Sequence, residues 1–240
     1  MAPEDLIAMF DRLADELSER LEHLEGWGLT GAVPGQYEHD VVADELIVPP
    51  LLDAGLRVLT EESGFSGSGD ITVVVDPVDG STNAARGLPW YATSLCAVDD
   101  QGMLASGVYN LALGDRFVAV RGEGTDDTPS QCTSLSDAIV AFSGYPDRHL
   151  GWRQYRTYGA AALDMCAVAT GTFDAYVDVD GAHGVWDYLG ALLFCAESGC
   201  AVGELNDADL VVLESEARRG PIVASTPQLL DELRAALAIS

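Results

Sequence analysis

Lysine is absent from this sequence. All 12 basic side chains are arginine, against 39 aspartates and glutamates, so the formal net charge at pH 7 is −27. The absence of lysine excludes P-loop nucleotide hydrolases, in which a lysine reaches the phosphates, and enzymes that form a Schiff base through a lysine amine. The acidic balance argues against nucleic acid as a partner, because binding its phosphates depends on clustered Lys and Arg.

The excess of carboxylates also indicates the salt concentration in which the protein works. In roughly 1 M salt the Debye length falls to about 3 Å, so repulsion among the surface carboxylates is largely screened. An ordinary acidic mesophilic protein is the alternative. The complete loss of lysine leads us to predict a halophilic source with a salt-rich cytoplasm.

The sequence shows no pattern of a targeting or anchoring segment either. The N-terminal stretch is acidic and amphipathic, unlike a signal peptide, and no run approaches the roughly 18 apolar residues of a membrane span. We therefore predict a cytoplasmic protein without membrane contact. The five cysteines are an odd number without a C-x-x-C pair, which predicts buried thiols rather than disulfides or a zinc ribbon.

Hydrophobic periodicity predicts several helices. They are expected over 3–25, 40–56 and 159–170, from about Trp186, and after Thr226-Pro227. The pair Pro49-Pro50 lies inside the second of these helices. Because proline removes a helical hydrogen bond, we expect the pair to kink or split that helix.

Short β-rich runs predict strands between the helices. They are expected at 57–60, 71–75, 138–142, 173–179, 210–213 and 221–224, with an antiparallel meander over 90–121. This alternation indicates a layered α/β (α+β) fold. A polar loop over 122–137 predicts the boundary between an N-terminal α+β half, 1–125, and a C-terminal α/β half, 126–240.

The strongest chemical signal is DPVDGSTN, residues 76–83, directly after the apolar strand ITVVV. It places two carboxylates, Asp76 and Asp79, around a proline-containing turn, and the Gly-Ser-Thr amides that follow are free to bind an anion. The alternative is an Asx-type turn between two elements, since Asp-Gly is common in turns. The motif predicts a cation site beside a phosphate site.

Two further carboxylates accompany this motif. Glu61 is the first of a Glu-Glu pair after the strand RVLT, and Asp187 follows Trp186 at the start of an apolar helix. Taken singly, Glu61 is compatible with a solvated turn and Asp187 with a helix cap. Their joint occurrence with DPVDGSTN favours a functional site.

Together these motifs resemble the inositol monophosphatase family, a branch of the lithium-sensitive, magnesium-dependent phosphatase superfamily. The resemblance is carried by EES, DPVDGSTN, and WD at the head of a helix that ends in ESG, over about 38–83 and 157–200. It implies a layered α-β-α-β-α sandwich of the sugar phosphatase type and a homodimer. The spacing before Asp187 is similar to that of archaeal members, which accept both inositol phosphate and fructose bisphosphate.

The resemblance implies a metal-ligand set. Glu61, Asp76 and the main-chain carbonyl of Val78 would hold one Mg²⁺, and Asp76, Asp79 and Asp187 a second, with two or three ions per site. The need for cations also follows from physics, because two carboxylates about 4 Å apart repel by about 4 kcal/mol at an effective dielectric of about 20. Oxygen ligands without His or Cys select Mg²⁺, or Mn²⁺ as a substitute, over Zn²⁺.

The resemblance implies the remaining roles too. Asp40, with the hydroxyl of Ser81, would orient and deprotonate the attacking water. The residues expected to contact phosphate or substrate are Gly80, Ser81, Thr82, Gly159, Ala160, Ala161 and Asp178.

The expected activity is Mg²⁺-dependent hydrolysis of a small polyol or sugar phosphate by metal-activated water, with inositol-1-phosphate as the first candidate. Fructose-1,6-bisphosphate and then phosphoadenosine phosphate are the alternative substrates. A regulatory homologue without catalysis is the alternative from another class. The four histidines share no ligand spacing and are expected to be structural or solvated. Four arginines could meet a second phosphate or a substrate hydroxyl, but ordinary surface ion pairing is the favoured interpretation: Arg86, Arg148, Arg153 and Arg156.

Overall fold

Two mixed β-sheets and the helices around them make up the computed structural model, which describes residues 1–238. The strands of the first sheet are β1 (Arg57–Thr60), β2 (Gly64–Ser66), β3 (Thr72–Asp79), β4 (Ala92–Asp99), β5 (Gly102–Asn110) and β6 (Arg116–Val120). They lie in the order β2-β1-β3-β4-β5-β6. The β1–β3 pair is parallel, and the β4–β5–β6 meander is antiparallel, as the sequence predicts.

The second sheet comes from the later part of the chain. Its strands are β7 (Ile139–Ser143), β8 (Gln154–Arg156), β9 (Ala175–Asp178), β10 (Ala201–Glu204) and β11 (Pro221–Ala224). They lie in the order β10-β11-β9-β7-β8. β7 is parallel to both β8 and β9, whereas β11 is antiparallel to β9 and β10.

Helices form three layers around these sheets. Those of the described chain are α1 (Pro3–Glu22), α2 (Glu38–Asp53), α3 (Ser81–Arg86), α4 (Ala161–Ala169), α5 (Val185–Glu197) and α6 (Pro227–Ala238). α1 and α2 cover the outer face of the first sheet, α4 and α5 lie between the sheets, and α6 covers the second sheet. The α-β-α-β-α sandwich is therefore confirmed.

The central helical layer joins the two halves of the chain. Every residue of α4 is buried, because its small and apolar side chains meet packed neighbours all round. α5 belongs to the C-terminal half of the sequence, yet it packs on β3, β4, β5 and β6 of the first sheet. The boundary near residue 125 stays a prediction.

The proline pair does not split the second helix, whereas a kink there stays a prediction. α2 continues through Pro49 and Pro50 to Asp53 as one helix. The fully buried Ile47 and Leu51 anchor that end of the helix and offset the hydrogen bonds that the prolines cannot donate.

Residues 210–213 form no strand, because β10 occupies the place beside β11. The carbonyl of Leu210 instead accepts a hydrogen bond from the hydroxyl of Tyr188. The short elements β2, α3, β8 and β10 were not predicted.

The structure also bears on the predictions about cysteine thiols and membrane spans. All five cysteines are free, three of them buried and two half-buried. None of the described helices combines the length and the apolar character needed to cross a bilayer.

Candidate active site

Carboxylates from three separate parts of the chain meet at one edge of the first sheet. Glu61 directly follows β1, and Asp76 lies in β3; because these strands are parallel, their carboxyl ends share an edge. Asp187 lies in the first turn of α5. One carboxylate oxygen from each of these residues lies within 4.8 Å of the other two.

A β-bulge brings Asp79 to the same side as Asp76. Residues three apart on a regular strand point to opposite faces of the sheet. Here Asp76 pairs with Ser94 and Asp79 with Ala92, so β3 has one residue more than β4 over this stretch. The extra residue turns both carboxylates toward one cavity.

Glycine is required where the chain turns from β3 into α3. Gly80 has a φ of 88°, in the left-handed region. A Cβ at this position would lie 3.0 Å from the Trp90 carbonyl oxygen and 3.0 Å from the Ala160 side chain. The turn exposes Ser81 and Thr82 to the cavity.

Asp40 and Ser81 are in direct contact across the cavity wall. The Ser81 hydroxyl lies 2.6 Å from Asp40 Oδ1 and 2.8 Å from the carbonyl oxygen of Val78. The other oxygen of Asp40 accepts the backbone N–H of Tyr37 at 2.9 Å, at the start of α2. Asp40 is only 4% exposed, so its carboxylate is held in one orientation.

The cavity around these groups has a volume of about 520 Å³ and is acidic. Its lining includes six carboxylates, those of Asp40, Glu61, Glu62, Asp76, Asp79 and Asp187. None of the described residues that line it is basic. An anionic substrate therefore needs bound cations before it can enter this cavity favourably.

Loss of solvation and mutual repulsion favour the protonated form of Glu61, Asp76 and Asp79. Partial loss of solvation in the cavity, together with the charge of Asp187, raises the pKa of Glu61 to about 8, although this side chain stays partly open to solvent. Burial and the charge of Asp187 raise the pKa of Asp79 to about 7. Burial and the charge of Glu61 hold the pKa of Asp76 well above its usual range. Asp76 Oδ1 is also buried without a hydrogen-bond partner among the described residues. An oxygen-only donor set with an unpaired buried oxygen fits a hard divalent cation such as Mg²⁺.

We expect the metal-free protein to lose stability as the pH rises from about 5 to 8. The raised pKa values of Glu61 and Asp79 mean that the folded state binds these protons more tightly than the unfolded state. Their contribution is complete below the ordinary carboxyl pKa and is lost as the pH passes through about 7 and 8. Unfolding temperatures measured in EDTA and in excess Mg²⁺, both in molar KCl, test this pH dependence. Bound Mg²⁺ should abolish the decrease in unfolding temperature between pH 5 and 8.

The variant Glu61→Gln serves as the control for this pH dependence. It removes one of the two titrating groups, so the unfolding temperature in EDTA should change less between pH 5 and 8. A metal-free wild-type protein that becomes more stable over this range would contradict the prediction.

Comparison with known proteins identifies the family. The sequence profile of the inositol monophosphatase family matches residues 38–239. The chain belongs to this family. It is thus a phosphoric monoester hydrolase by membership, and enzymes of this family depend on Mg²⁺.

Relatives of known sequence or structure agree with this membership. The fructose-1,6-bisphosphatase/inositol-1-monophosphatase of Archaeoglobus fulgidus is 33% identical over 180 residues, 71% of each chain. The Nus factor SuhB of Pasteurella multocida is 32% identical over 200 residues, 73% of this chain and 71% of that protein. A Pyrococcus horikoshii protein with similarities to inositol-1 monophosphatase has the same fold, with a TM-score of 0.81, 23% identity, and coverage of 97% and 95% of the two chains.

Most of the site residues predicted for this inositol monophosphatase family member line the single cavity described above. They are Asp40, Glu61, Asp76, Val78, Asp79, Gly80, Ser81, Thr82, Gly159 and Asp187. Asp79 lies outside the group of three closest carboxylates. Its oxygens accept the backbone N–H groups of Ala161 and Ala162, at 3.1 and 2.7 Å, and so cap the start of α4.

Three predicted substrate residues are not among those that line the cavity. Ala160 and Ala161 are buried directly behind Gly159, and the Ala161 amide is used by Asp79. Asp178 is 1% exposed, and its two oxygens accept the N–H groups of Asp180 and Ala182, each at 3.0 Å. This local turn holds the Asp178 carboxylate in the interior.

Sequence reasoning missed other residues of the site. Glu62 lines the cavity and accepts a hydrogen bond from Gln36, and the Tyr37 hydroxyl lies 3.1 Å from the Thr82 hydroxyl. The loop before α2 thereby forms one wall. His183 was also missed: its Nδ1 lies 3.0 Å from Asp187 Oδ2, a contact for which the i, i+4 spacing was the only signal.

Proposed function

We propose that this chain hydrolyses a small polyol or sugar monophosphate, with inositol-1-phosphate as the first candidate, using Mg²⁺ and a water nucleophile. The observation that carries this proposal is the Asp40–Ser81 contact in the same cavity as the cluster of Glu61, Asp76 and Asp187. A proton acceptor placed beside a cation site suits displacement by water at phosphorus.

The carboxylate cluster would hold the cations. Glu61, Asp76 and Asp187 are the closest donors, and the Val78 carbonyl and Asp79 are the further donors that the family resemblance implies. Bound Mg²⁺, in two or three sites or replaced by Mn²⁺, supplies positive charge and Lewis acidity. Because Asp79 already accepts two amide hydrogen bonds, only its remaining lone pairs would face an ion.

The contact between Ser81 and Asp40 provides a path for the proton of the attacking water. When the Ser81 hydroxyl donates to Asp40 Oδ1, its oxygen keeps lone pairs that accept a water O–H. As the water attacks, its proton passes to Ser81 Oγ and the Ser81 proton passes to Asp40. The backbone N–H of Tyr37 on the other Asp40 oxygen holds the acceptor in place.

The turn after β3 would bind the phosphate. The amides of Gly80, Ser81 and Thr82 follow one another at the cavity wall, where the left-handed conformation of Gly80 starts α3. Successive amides in such a turn suit anionic oxygens. Gly159, whose carbonyl oxygen lies close to Gly80, would contact the alcohol part of the substrate.

The charge of the cavity favours one phosphate group over two. A second phosphate beyond the cations would meet carboxylates and no arginine among the described lining residues. A phosphate that forms one charge-assisted hydrogen bond fewer is bound less favourably by about 1.5 kcal/mol or more. We therefore expect kcat/KM for inositol-1-phosphate to exceed that for fructose-1,6-bisphosphate by about tenfold or more.

Phosphate release from both substrates, in molar KCl with and without Mg²⁺, measures this preference. Phosphoadenosine phosphate is the third substrate to include. Equal or faster turnover of the bisphosphate would contradict this preference and would place the chain with its Archaeoglobus relative, which is named for both activities. No turnover of any substrate would refute the proposed function.

A regulatory role without catalysis is the second candidate, because one relative is named a Nus factor. A net charge of −27 opposes contact with RNA. The predicted metal donors are also all present in the cavity, as expected of an active enzyme. The homodimer, the halophilic source and the cytoplasmic location remain predictions from sequence and resemblance.

A further inference from the structure

A chain of hydrogen bonds leads from the second sheet to Asp187. His183 lies four residues before Asp187, and its backbone is paired with that of Arg219. Its ring contacts Asp187 Oδ2 through Nδ1, at 3.0 Å, and the Tyr176 hydroxyl through Nε2, at 2.7 Å. Tyr176, which is fully buried in β9, lies 2.9 Å from the Ser143 hydroxyl at the end of β7.

The direction of these hydrogen bonds follows from the groups involved. An ionised carboxylate accepts only, so His183 Nδ1 must carry a proton and donate to Asp187. Asp187 Oδ2 also accepts the backbone N–H of Gly184 at 2.8 Å. In the part of the chain that the structure describes, Asp187 Oδ1 accepts no hydrogen bond, and it is the oxygen left for a cation.

We propose that His183 is a positioning residue, which fixes the Asp187 carboxylate so that its free oxygen faces Glu61 and Asp76. This inference depends on the assignment of Asp187 as a metal ligand in the proposed function. Tyr176 holds the His183 ring in turn, so a ligand on α5 is oriented by the second sheet while Glu61 and Asp76 are presented by the first.

The physical reason is the cost of ordering a ligand. A carboxylate with both oxygens free can rotate and must lose that freedom when an ion binds, whereas two donors on Oδ2 remove it beforehand. Partners of metal ligands typically contribute about 10- to 100-fold to metal affinity. Without the His183 contact, the Gly184 N–H would be the single donor to Asp187 Oδ2, and the Asp187 carboxylate could turn about that contact.

Two substitutions at position 183 separate positioning from simple packing. In His183→Asn the side-chain amide lies where Nδ1 lies and can still donate to Asp187, but it does not reach Tyr176. In His183→Gln the longer side chain places its amide near the position of Nε2, where it can contact Tyr176 but not Asp187. Both lose the ring, so a merely structural role predicts similar effects.

Manganese binding is the measurement. Free Mn²⁺ is followed by electron paramagnetic resonance while the metal-free full-length protein is titrated in molar KCl, and unfolding temperatures are recorded for each variant. We expect His183→Gln to weaken Mn²⁺ binding by about 10- to 100-fold and His183→Asn by no more than about threefold. His23→Gln, which alters an exposed histidine after α1, should bind as the wild type does.

Equal weakening in the Asn and Gln variants, or unchanged affinity in both, would overturn the positioning role whatever their unfolding temperatures. A wild-type protein that binds no Mn²⁺ would overturn both this inference and the ligand set. A wild-type protein that binds Mn²⁺ but hydrolyses no phosphate ester would refute the proposed function alone, and the comparison of variants would still decide the role of His183.

Discussion

Asp76→Asn is expected to abolish turnover and, at the same time, to stabilise the metal-free protein. The asparagine keeps the shape of the side chain but removes the charge that Mg²⁺ requires, so kcat/KM should fall by about 10³-fold or more. In the absence of metal the Asp76 carboxyl is buried among Glu61, Asp79 and Asp187, so it must either carry an unfavourable charge or hold a proton that the unfolded chain would release. Asparagine removes both costs. We expect the unfolding temperature in EDTA at pH 8 to rise by at least about 2 °C.

The opposite signs of these two effects make the test specific. A variant that merely damages the fold would lose stability together with activity. Asp70→Asn, at an exposed aspartate before β3, changes the net charge equally and should alter neither quantity. An Asp76→Asn protein that keeps wild-type turnover would remove Asp76 from the ligand set.

Ser81→Ala should lower kcat by about 10²- to 10⁴-fold, the usual range for loss of a group that handles a proton. The substitution removes the hydroxyl that lies 2.6 Å from Asp40 and leaves the three clustered carboxylates unchanged. Mn²⁺ affinity should therefore stay within about threefold of the wild type, in contrast to the effect expected for Asp76→Asn. Steady-state rates and Mn²⁺ titration of the same samples give both values.

Two related variants show whether Ser81 and Asp40 act as one unit. The double variant Ser81→Ala/Asp40→Asn should be no slower than the slower single variant, because the path is already broken by either change. Ser81→Thr keeps the hydroxyl and should retain most of the activity. If the two single effects multiply, or if threonine is as inactive as alanine, the proton path through Ser81 Oγ is incorrect.

Together these variants separate cation binding from water activation. Asp76 and Asp187 affect cation binding through their oxygens, and His183 affects it through the orientation of Asp187. Asp40 and Ser81 affect the activation of water. The two functions share one cavity, yet their residues come from different elements, so they should respond independently to substitution.

Much of the site could be predicted because its signals are local. The sequence places Asp76 and Asp79 around one turn, Glu61 at the end of a strand, and Asp187 at the start of a helix. Each of these patterns depends on a few neighbouring residues, and their order along the chain carries the family resemblance. The structure brings the predicted residues Asp40 and Ser81 into contact across 41 positions of sequence, as the resemblance implies.

Asp178 shows what local patterns leave open. Its position at the end of β9 resembles that of a substrate residue, but the orientation of a carboxylate depends on the loop that follows it. Here the residues after β9 fold back so that the N–H groups of Asp180 and Ala182 bind its oxygens.

The sequence alone determined the exclusion of lysine chemistry, the layered fold and the acidic residues that form the candidate metal site, since composition and short-range patterns suffice for these. Tertiary structure decided that α2 continues through its prolines, that Asp178 faces inward, that no described arginine lines the cavity, and that His183 contacts Asp187. These features depend on which side chains pack together when distant segments meet, and no local pattern specifies that geometry.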